Sequence, residues 1–116
     1  MSIGMHIRYQ ENLKKEPGYV PIAPSLSFPE TWGRVSLQLG LQWVPLFNTY
    51  LVFESPENLS AVVDELSRLY EYLANPKELD ISDALCRDIR SRILFLIGAI
   101  KEATENWKDV KYVSFG

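Results

Sequence analysis

The stretch that most constrains the fold runs from Ser82 to Trp107. Its apolar residues recur at spacings of three and four: Leu85, Ile89, Ile93, Leu96, Ile100, Ala103 and Trp107. This spacing places them on one stripe of an α-helix, since a helix turns once in about 3.6 residues. Ser82 is suited to cap the start, and Asp83 places a negative charge in the first turn, where the helix dipole favours it. The sequence therefore predicts a long amphipathic core helix.

The far side of this core helix is not uniformly polar. Leu94 falls opposite the apolar stripe, among charged residues, and Phe95 also lies off the stripe. Either the helix is covered on more than one side, or Leu94 and Phe95 form an exposed apolar spot. A related alternative is that Arg87 or Arg90, on the same side, pairs with acids of another helix.

Four other stretches are predicted to be extended. Residues 3–9 alternate loosely between apolar and other side chains, as a half-buried strand does. Tyr19–Pro29 contains three prolines, which favours an extended segment or an edge strand because proline cannot donate to a sheet ladder. Thr49–Glu54 is rich in β-branched and aromatic residues. Asp109–Phe115 alternates again and is predicted to return to the sheet as an edge strand.

Gly33–Trp43 also reads as a strand. Large apolar residues occupy every second position here: Val35, Leu37, Leu39, Leu41 and Trp43. Such alternation puts all of them on one face of a sheet. A helix is the alternative, with Trp32, Val35, Leu39 and Trp43 on one face. Because a helix would expose Leu37 and Leu41, the strand is favoured, with Thr49–Glu54 as the returning strand of a hairpin.

A second helix is predicted to start at Ser55-Pro56-Glu57, which combines a serine cap, a proline at the first position and an early acid. An apolar stripe follows, and Asn75-Pro76 is predicted to end the helix. With Tyr19–Pro29 counted as an extended segment outside the regular strands, the element order is β-β-β-α-α-β. It predicts a single α+β domain over residues 1–116, with a small, mostly antiparallel sheet and two helices packed on one face.

Charge and composition limit the expected partners and cellular location. The net charge is −3, but eight acids and two bases lie between Glu54 and Asp83, so this segment carries −6 and the rest +3. The negative total argues against nucleic acid as a direct partner. One cysteine allows no intramolecular disulfide, which favours a reducing cytoplasmic location. The longest apolar run, Ile93–Ile97, is too short for a membrane span, so no membrane partner is expected.

Catalytic and cofactor motifs are absent from the sequence. His6 is the only histidine and Cys86 the only cysteine, so a histidine-based catalytic unit would have to use His6, with Cys86 as the sole thiol nucleophile. One histidine and one cysteine cannot make a structural zinc site. No glycine-rich turn lies between a predicted strand and a predicted helix, as phosphate-binding loops require. The sequence therefore predicts no catalytic residue, no metal site, no cofactor and no enzymatic activity.

An acidic helix surface is the leading binding candidate. It is predicted to consist of Asp64, Glu65, Arg68, Glu71, Tyr72, Glu78 and Asp80. An aromatic side chain among charges is common in protein interfaces. In composition the chain resembles the small acidic immunity or antitoxin-type proteins of bacteria. This resemblance implies a protein partner, such as a basic toxin that the acidic surface would neutralise.

A second hypothesis is a structural homo-oligomer, for instance a homodimer. It would associate through Leu94 and Phe95 of the core helix, or through the predicted edge strand Asp109–Phe115.

Overall fold

The computed structural model describes residues 1–75 and 79–116. In chain order they form β1 (Ser2–Tyr9), β2 (Gly18–Pro24), α1 (Trp32–Gln38), β3 (Leu51–Phe53), α2 (Leu59–Tyr72), α3 (Asp83–Glu105) and β4 (Val110–Phe115). One-turn 3₁₀ segments join several of these elements. The predicted α+β class is confirmed, whereas the helix number and the order differ, because α1 lies where a strand was predicted.

The four strands form one antiparallel sheet in the order β2-β1-β4-β3. The predicted position of Asp109–Phe115 at the sheet edge is therefore wrong. β4 pairs with β1 on one side and with β3 on the other, and its last three residues before Gly116 are all buried. The edges are instead β2, which contains Pro21 and Pro24, and the three-residue β3. Proline and short length both discourage further strands from adding to an edge.

Alternation along β1 separates the two faces of the sheet. Ile3, Met5 and Ile7 are buried in the hydrophobic core together with residues of all three helices. His6 and Arg8 point to the opposite face, where they line a pocket with residues from strands and loops and none from a helix. Three helices, rather than the predicted two, thus pack against the face of the sheet that carries Ile3, Met5 and Ile7.

The core helix is confirmed as α3. The Ser82 hydroxyl accepts a hydrogen bond from the Leu85 amide at 3.2 Å, which is the predicted N-cap. The middle of the predicted stripe is buried from Ile89 to Ala103, whereas Leu85 is exposed and Cys86 is buried in the first turns. Trp107 lies beyond the helix in a 3₁₀ turn and is half-buried.

The strand predicted over Gly33–Trp43 is wrong, because α1 occupies its first half. Trp32, Val35 and Ser36 are buried at helical spacing, while Leu37 is 66% exposed. Gly40 then turns the chain at φ +72°, a conformation that favours glycine. This reversal brings Leu41 back into the core, where a continuing helix would have exposed it. The apparent alternation therefore combines a helix of about two turns with a change of chain direction.

The second predicted helix is confirmed as α2, but it begins at Leu59 rather than at Ser55-Pro56-Glu57. Its first capping residue is Asn58, whose side chain makes no capping hydrogen bond. The apolar stripe is buried as expected, at Leu59, Val62, Leu66, Leu69 and Leu73. The predicted end at Asn75-Pro76 includes a proline outside the described residues, and the regular helix ends earlier, at Tyr72.

Candidate functional site

The acidic surface predicted on α2 is only partly free to bind a partner. Asp64, Glu71, Tyr72 and Asp80 are exposed, and Tyr72 retains 37% of its accessible surface. Glu78 lies outside the described residues. The other two members, a carboxylate and a guanidinium, are engaged within the chain.

Glu65 holds the chain that follows α1. Its Oε1 accepts hydrogen bonds from the backbone amides of Trp43 at 2.8 Å and Val44 at 3.0 Å, and its Oε2 accepts one from Gln42 at 2.9 Å. These amides open the 3₁₀ turn at Val44–Leu46, so the carboxylate serves as its cap from a distant helix. Glu65 is therefore a fold-stabilising residue, which a partner could recruit only by breaking these bonds.

Arg68 lies about one turn further along α2 and also contacts the chain that follows α1. Its Nη2 donates to the carbonyl oxygen of Leu39 at 3.2 Å, close to the C-terminal end of α1. The hydrogen bonds of Glu65 and Arg68 together hold residues 39–44 against α2. The predicted partner surface is thereby reduced to Asp64, Glu71, Tyr72 and Asp80 among the described residues.

Arg90 links the two long helices, but not through an acid. Its guanidinium stacks on the Tyr70 ring, 4.0 Å from the centroid, and its Nε donates to the Tyr70 carbonyl at 3.1 Å. A cation at this position also stabilises the C-terminal end of α2, because the carbonyl groups there carry a partial negative charge. The described structure contains no ion pair between Arg87 or Arg90 and the acids of α2.

An open, largely apolar groove lies between α3 and β2. Leu94 is 53% exposed and Phe95 71% exposed, so the exposed-spot interpretation of the core helix is correct. The groove beside them has a volume of about 780 Å³. Its apolar lining comes from Val20, Pro21, Leu94, Phe95, Gly98 and Ala99. We call this surface the α3–β2 groove.

The rim of the α3–β2 groove is charged. Arg92 pairs with Asp88 at 3.2 Å, one helical turn earlier, and Glu102 lies at the other end. Gly98 lies between the two ends, and a Cβ built on it would meet no atom within 4 Å. The groove therefore combines a projecting apolar ridge, an open floor and charged ends, as protein interfaces do.

One wall of the groove is predictable from the sequence, and the other is not. Leu94 and Phe95 were recognisable because they break the polar face of an amphipathic helix. Val20 and Pro21 come from a strand about 70 residues earlier, and no local pattern connects them to α3. Gly98 offered a weak signal, since glycine inside a helix is unfavourable without a packing reason.

Groups capable of catalysis are dispersed. Cys86 is buried, and this burial raises the pKa of its thiol, with Asp83 adding to the effect. His6 lies on the opposite, open face of the sheet. Among residues 1–75 and 79–116, no three His, Cys, Asp or Glu side chains are grouped as metal ligands. Within the same ranges, no helix has both the length and the apolar character to cross a membrane.

Comparison with protein-family models, curated proteins and solved structures gives no match for this chain.

Proposed function

We propose that the protein is a non-enzymatic protein-binding module that pairs with a second copy of itself through the α3–β2 groove. The observation that carries the proposal is the exposure of two adjacent large apolar side chains, Leu94 and Phe95, beside an open apolar groove. Water around such side chains is released when they are covered, which favours association.

The shape of this face supports a symmetric pair. A twofold interface must be complementary to itself, because each subunit presents the same patch. Here the ridge formed by Leu94 and Phe95 lies on the same face as the open floor at Gly98 and Ala99. In an antiparallel pair centred at the level of Leu96, Leu94 of each copy faces Gly98 of the other.

The charges along α3 support the same arrangement. Arg87 lies before the apolar centre and Glu105 follows it, both exposed on the side that carries Leu94. The antiparallel pairing places Arg87 of one copy opposite Glu105 of the other, at both ends of the interface. A parallel arrangement would instead bring identical charges together, which costs free energy.

The sheet edges favour the helix as the contact surface. β2 contains two prolines and β3 has three residues, so neither edge offers a long ladder for strand addition. Self-association through an edge-positioned β4, the other route considered from the sequence, lacks that edge.

A charge-exchange experiment tests this pairing. Arg87→Glu and Glu105→Arg, each alone, place like charges opposite each other and are expected to weaken the dimer several-fold in sedimentation velocity. The double variant restores opposite charges and is expected to recover wild-type association. Lys108→Glu, a charge reversal beyond α3, is the matched control and should change little.

Wild-type protein that sediments as a monomer at high micromolar concentration would contradict the proposal. The proposal would also be contradicted if the double variant lost as much dimer affinity as the two single variants together, because the two charges would then not face each other. Gly98→Leu gives an independent check, since it fills the open floor and should weaken association without contacting the chain's own core.

We also propose a second candidate, the inhibitor function that the composition suggests. It is favoured by the exposure of Tyr72 and of the carboxylates of Asp64, Glu71 and Asp80, none of which forms an ion pair with another described residue. Such a surface would attract a basic protein, for example a bacterial toxin. We expect that co-expression of this protein rescues the growth of cells that produce a toxic protein encoded by a neighbouring gene. The variant with Asp64→Lys and Glu71→Lys should lose this rescue. Rescue that persists in this variant would argue against the acidic surface.

A further inference from the structure

The open face of the sheet carries a second concave site, on the side away from the helices. Alternation places His6 and Arg8 of β1 on this face, and Tyr112 and Ser114 of β4 beside them. The register pairs Arg8 with Tyr112 and His6 with Ser114 directly across the strands. Directly opposed side chains lie about 5 Å apart at Cβ, so these four groups form one compact cluster.

Tyr50 closes one side of this cluster. Its backbone lies against Gly116, where an added Cβ would come within 3.1 Å of the Tyr50 Cα. Tyr50 adopts φ +61°, a conformation that costs free energy for a residue with a side chain. Together with Pro17, these residues enclose a pocket of about 260 Å³. We call it the outer-face pocket.

Hydrogen-bonding groups in the outer-face pocket have no partners within the described chain. Ser114 is only 4% exposed, yet its hydroxyl makes no side-chain hydrogen bond there, although it lines the pocket. The side chains of His6, Arg8, Tyr50 and Tyr112 likewise form no hydrogen bond or ion pair with another described residue. No buried side-chain nitrogen or oxygen among the described residues lacks a partner, so the Ser114 hydroxyl is open to the pocket and free to donate to a ligand or water there.

The surroundings of this pocket are positive in a chain of negative total charge. No acidic residue lines the pocket, and Arg8 supplies a guanidinium. Arg8 also borders an adjacent depression with Lys14, Lys15 and Lys111, where Glu11 pairs with Lys111 at 3.3 Å. The cluster therefore offers one permanently charged guanidinium and several hydroxyl and ring donors to an anion.

We propose that the outer-face pocket binds the phosphoryl group of a small phosphate monoester. Arg8 contributes the charge and a two-point donor, and Ser114 and Tyr112 donate to the remaining oxygens. A phosphoryl group has three terminal oxygens and a carboxylate has two, so a phosphoryl group can accept hydrogen bonds from more of these donors. The exposed Tyr50 ring provides a surface for an aromatic group carried by the ester. The proposal is independent of dimer formation, since the α3–β2 groove lies on the helical side of the sheet.

Titration with phenyl phosphate, followed by amide chemical shifts and by calorimetry, tests this site. Saturable binding is expected, with shifts concentrated at residues 6, 8, 50, 112 and 114. Arg8→Gln should weaken binding about tenfold or more, and Ser114→Ala about threefold or more. Ser114→Ala should leave unfolding by urea unchanged, because its hydroxyl has no partner in the described chain. Arg87→Gln, which removes an exposed arginine on α3, is the control and should bind as wild type.

Benzoate and inorganic phosphate complete the design. Benzoate is expected to bind at least several-fold more weakly than phenyl phosphate, and inorganic phosphate to compete with phenyl phosphate for the same residues. Absence of saturable binding would overturn the proposal. Equal loss in Arg87→Gln, or benzoate binding as tightly as phenyl phosphate, would also overturn it.

Discussion

Glu65 provides a direct test of the distinction between a partner-binding carboxylate and a fold-stabilising one. In Glu65→Ala, three backbone amides lose the carboxylate that accepts from them: Gln42, Trp43 and Val44. Gln42 is exposed and can bond to water, whereas Trp43 is half-buried and Val44 is buried. The loss thus falls mainly on the amides of Trp43 and Val44.

The magnitude follows from these two bonds. A hydrogen bond to a charged group contributes about 1.5–3 kcal/mol, and partial access of water to the vacated site reduces that value. Glu65→Ala is therefore expected to lower the free energy of unfolding by about 2–4 kcal/mol, a large part of the roughly 5–15 kcal/mol typical of a domain. Glu65→Gln keeps one acceptor oxygen and should lose about half as much.

Urea unfolding monitored by circular dichroism measures the effect. Glu71→Ala is the matched control, because Glu71 is exposed on the same helix and its side chain makes no hydrogen bond with another described residue. This control should change stability by less than about 0.5 kcal/mol. Equal stability of Glu65→Ala and Glu71→Ala would refute the capping role and return Glu65 to the candidate partner surface.

Three other residues give further expected outcomes. Arg90→Ala should destabilise the protein by about 1–2 kcal/mol in urea unfolding, since it removes the stack and hydrogen bond on Tyr70, whereas Arg87→Ala should be near neutral. Cys86 should react with a thiol reagent on the order of 100-fold more slowly in the folded protein than in urea, because it is 2% exposed and burial raises the pKa of its thiol; equal rates would contradict its place in the core. Gly40→Ala should cost about 1 kcal/mol through its φ of +72° alone, since no atom lies within 4 Å of the added carbon, and an unchanged thermal midpoint would contradict that conformation.

Long periodic segments were predictable from the sequence because their pattern repeats over several turns. α3 spans 23 residues; its cap follows from the serine at position 82, and its buried stripe from Ile89 to Ala103 follows from the spacing of the apolar residues. β1 and β2 were likewise predictable from alternation and from proline content. In contrast, α1 has seven residues, too few for a helical period to outweigh an accidental alternation that continues past Gly40.

The position of β4 illustrates a different limit. Its strand character follows from local alternation, but its place between β1 and β3 depends on which distant strands pair with it. The same holds for Glu65, because a helix pattern shows that it faces away from the stripe but not that a loop about 20 residues earlier supplies amides to it. Sequence reasoning therefore identified exposed positions without identifying their tertiary partners.

Only the projecting apolar side chains of the α3–β2 groove were predictable from the sequence. Leu94 and Phe95 depart from the polar face of a helix, which is visible in the sequence, and both are exposed. The groove itself exists because β2 lies beside α3, and its floor is open because residue 98 is glycine. The outer-face pocket had no sequence signal, since its members come from four separated segments.

Sedimentation equilibrium of the full chain tests the central claim most directly. One chain has a mass of 13.3 kDa, and the wild type is expected to show twice this mass at high micromolar concentration. Leu94→Asp should reduce it to the mass of one chain, whereas Leu26→Asp, at a leucine that is 95% exposed outside the groove, should remain a dimer. A wild-type mass of 13.3 kDa at all concentrations, or equal dimerisation of both variants, would contradict pairing through the α3–β2 groove.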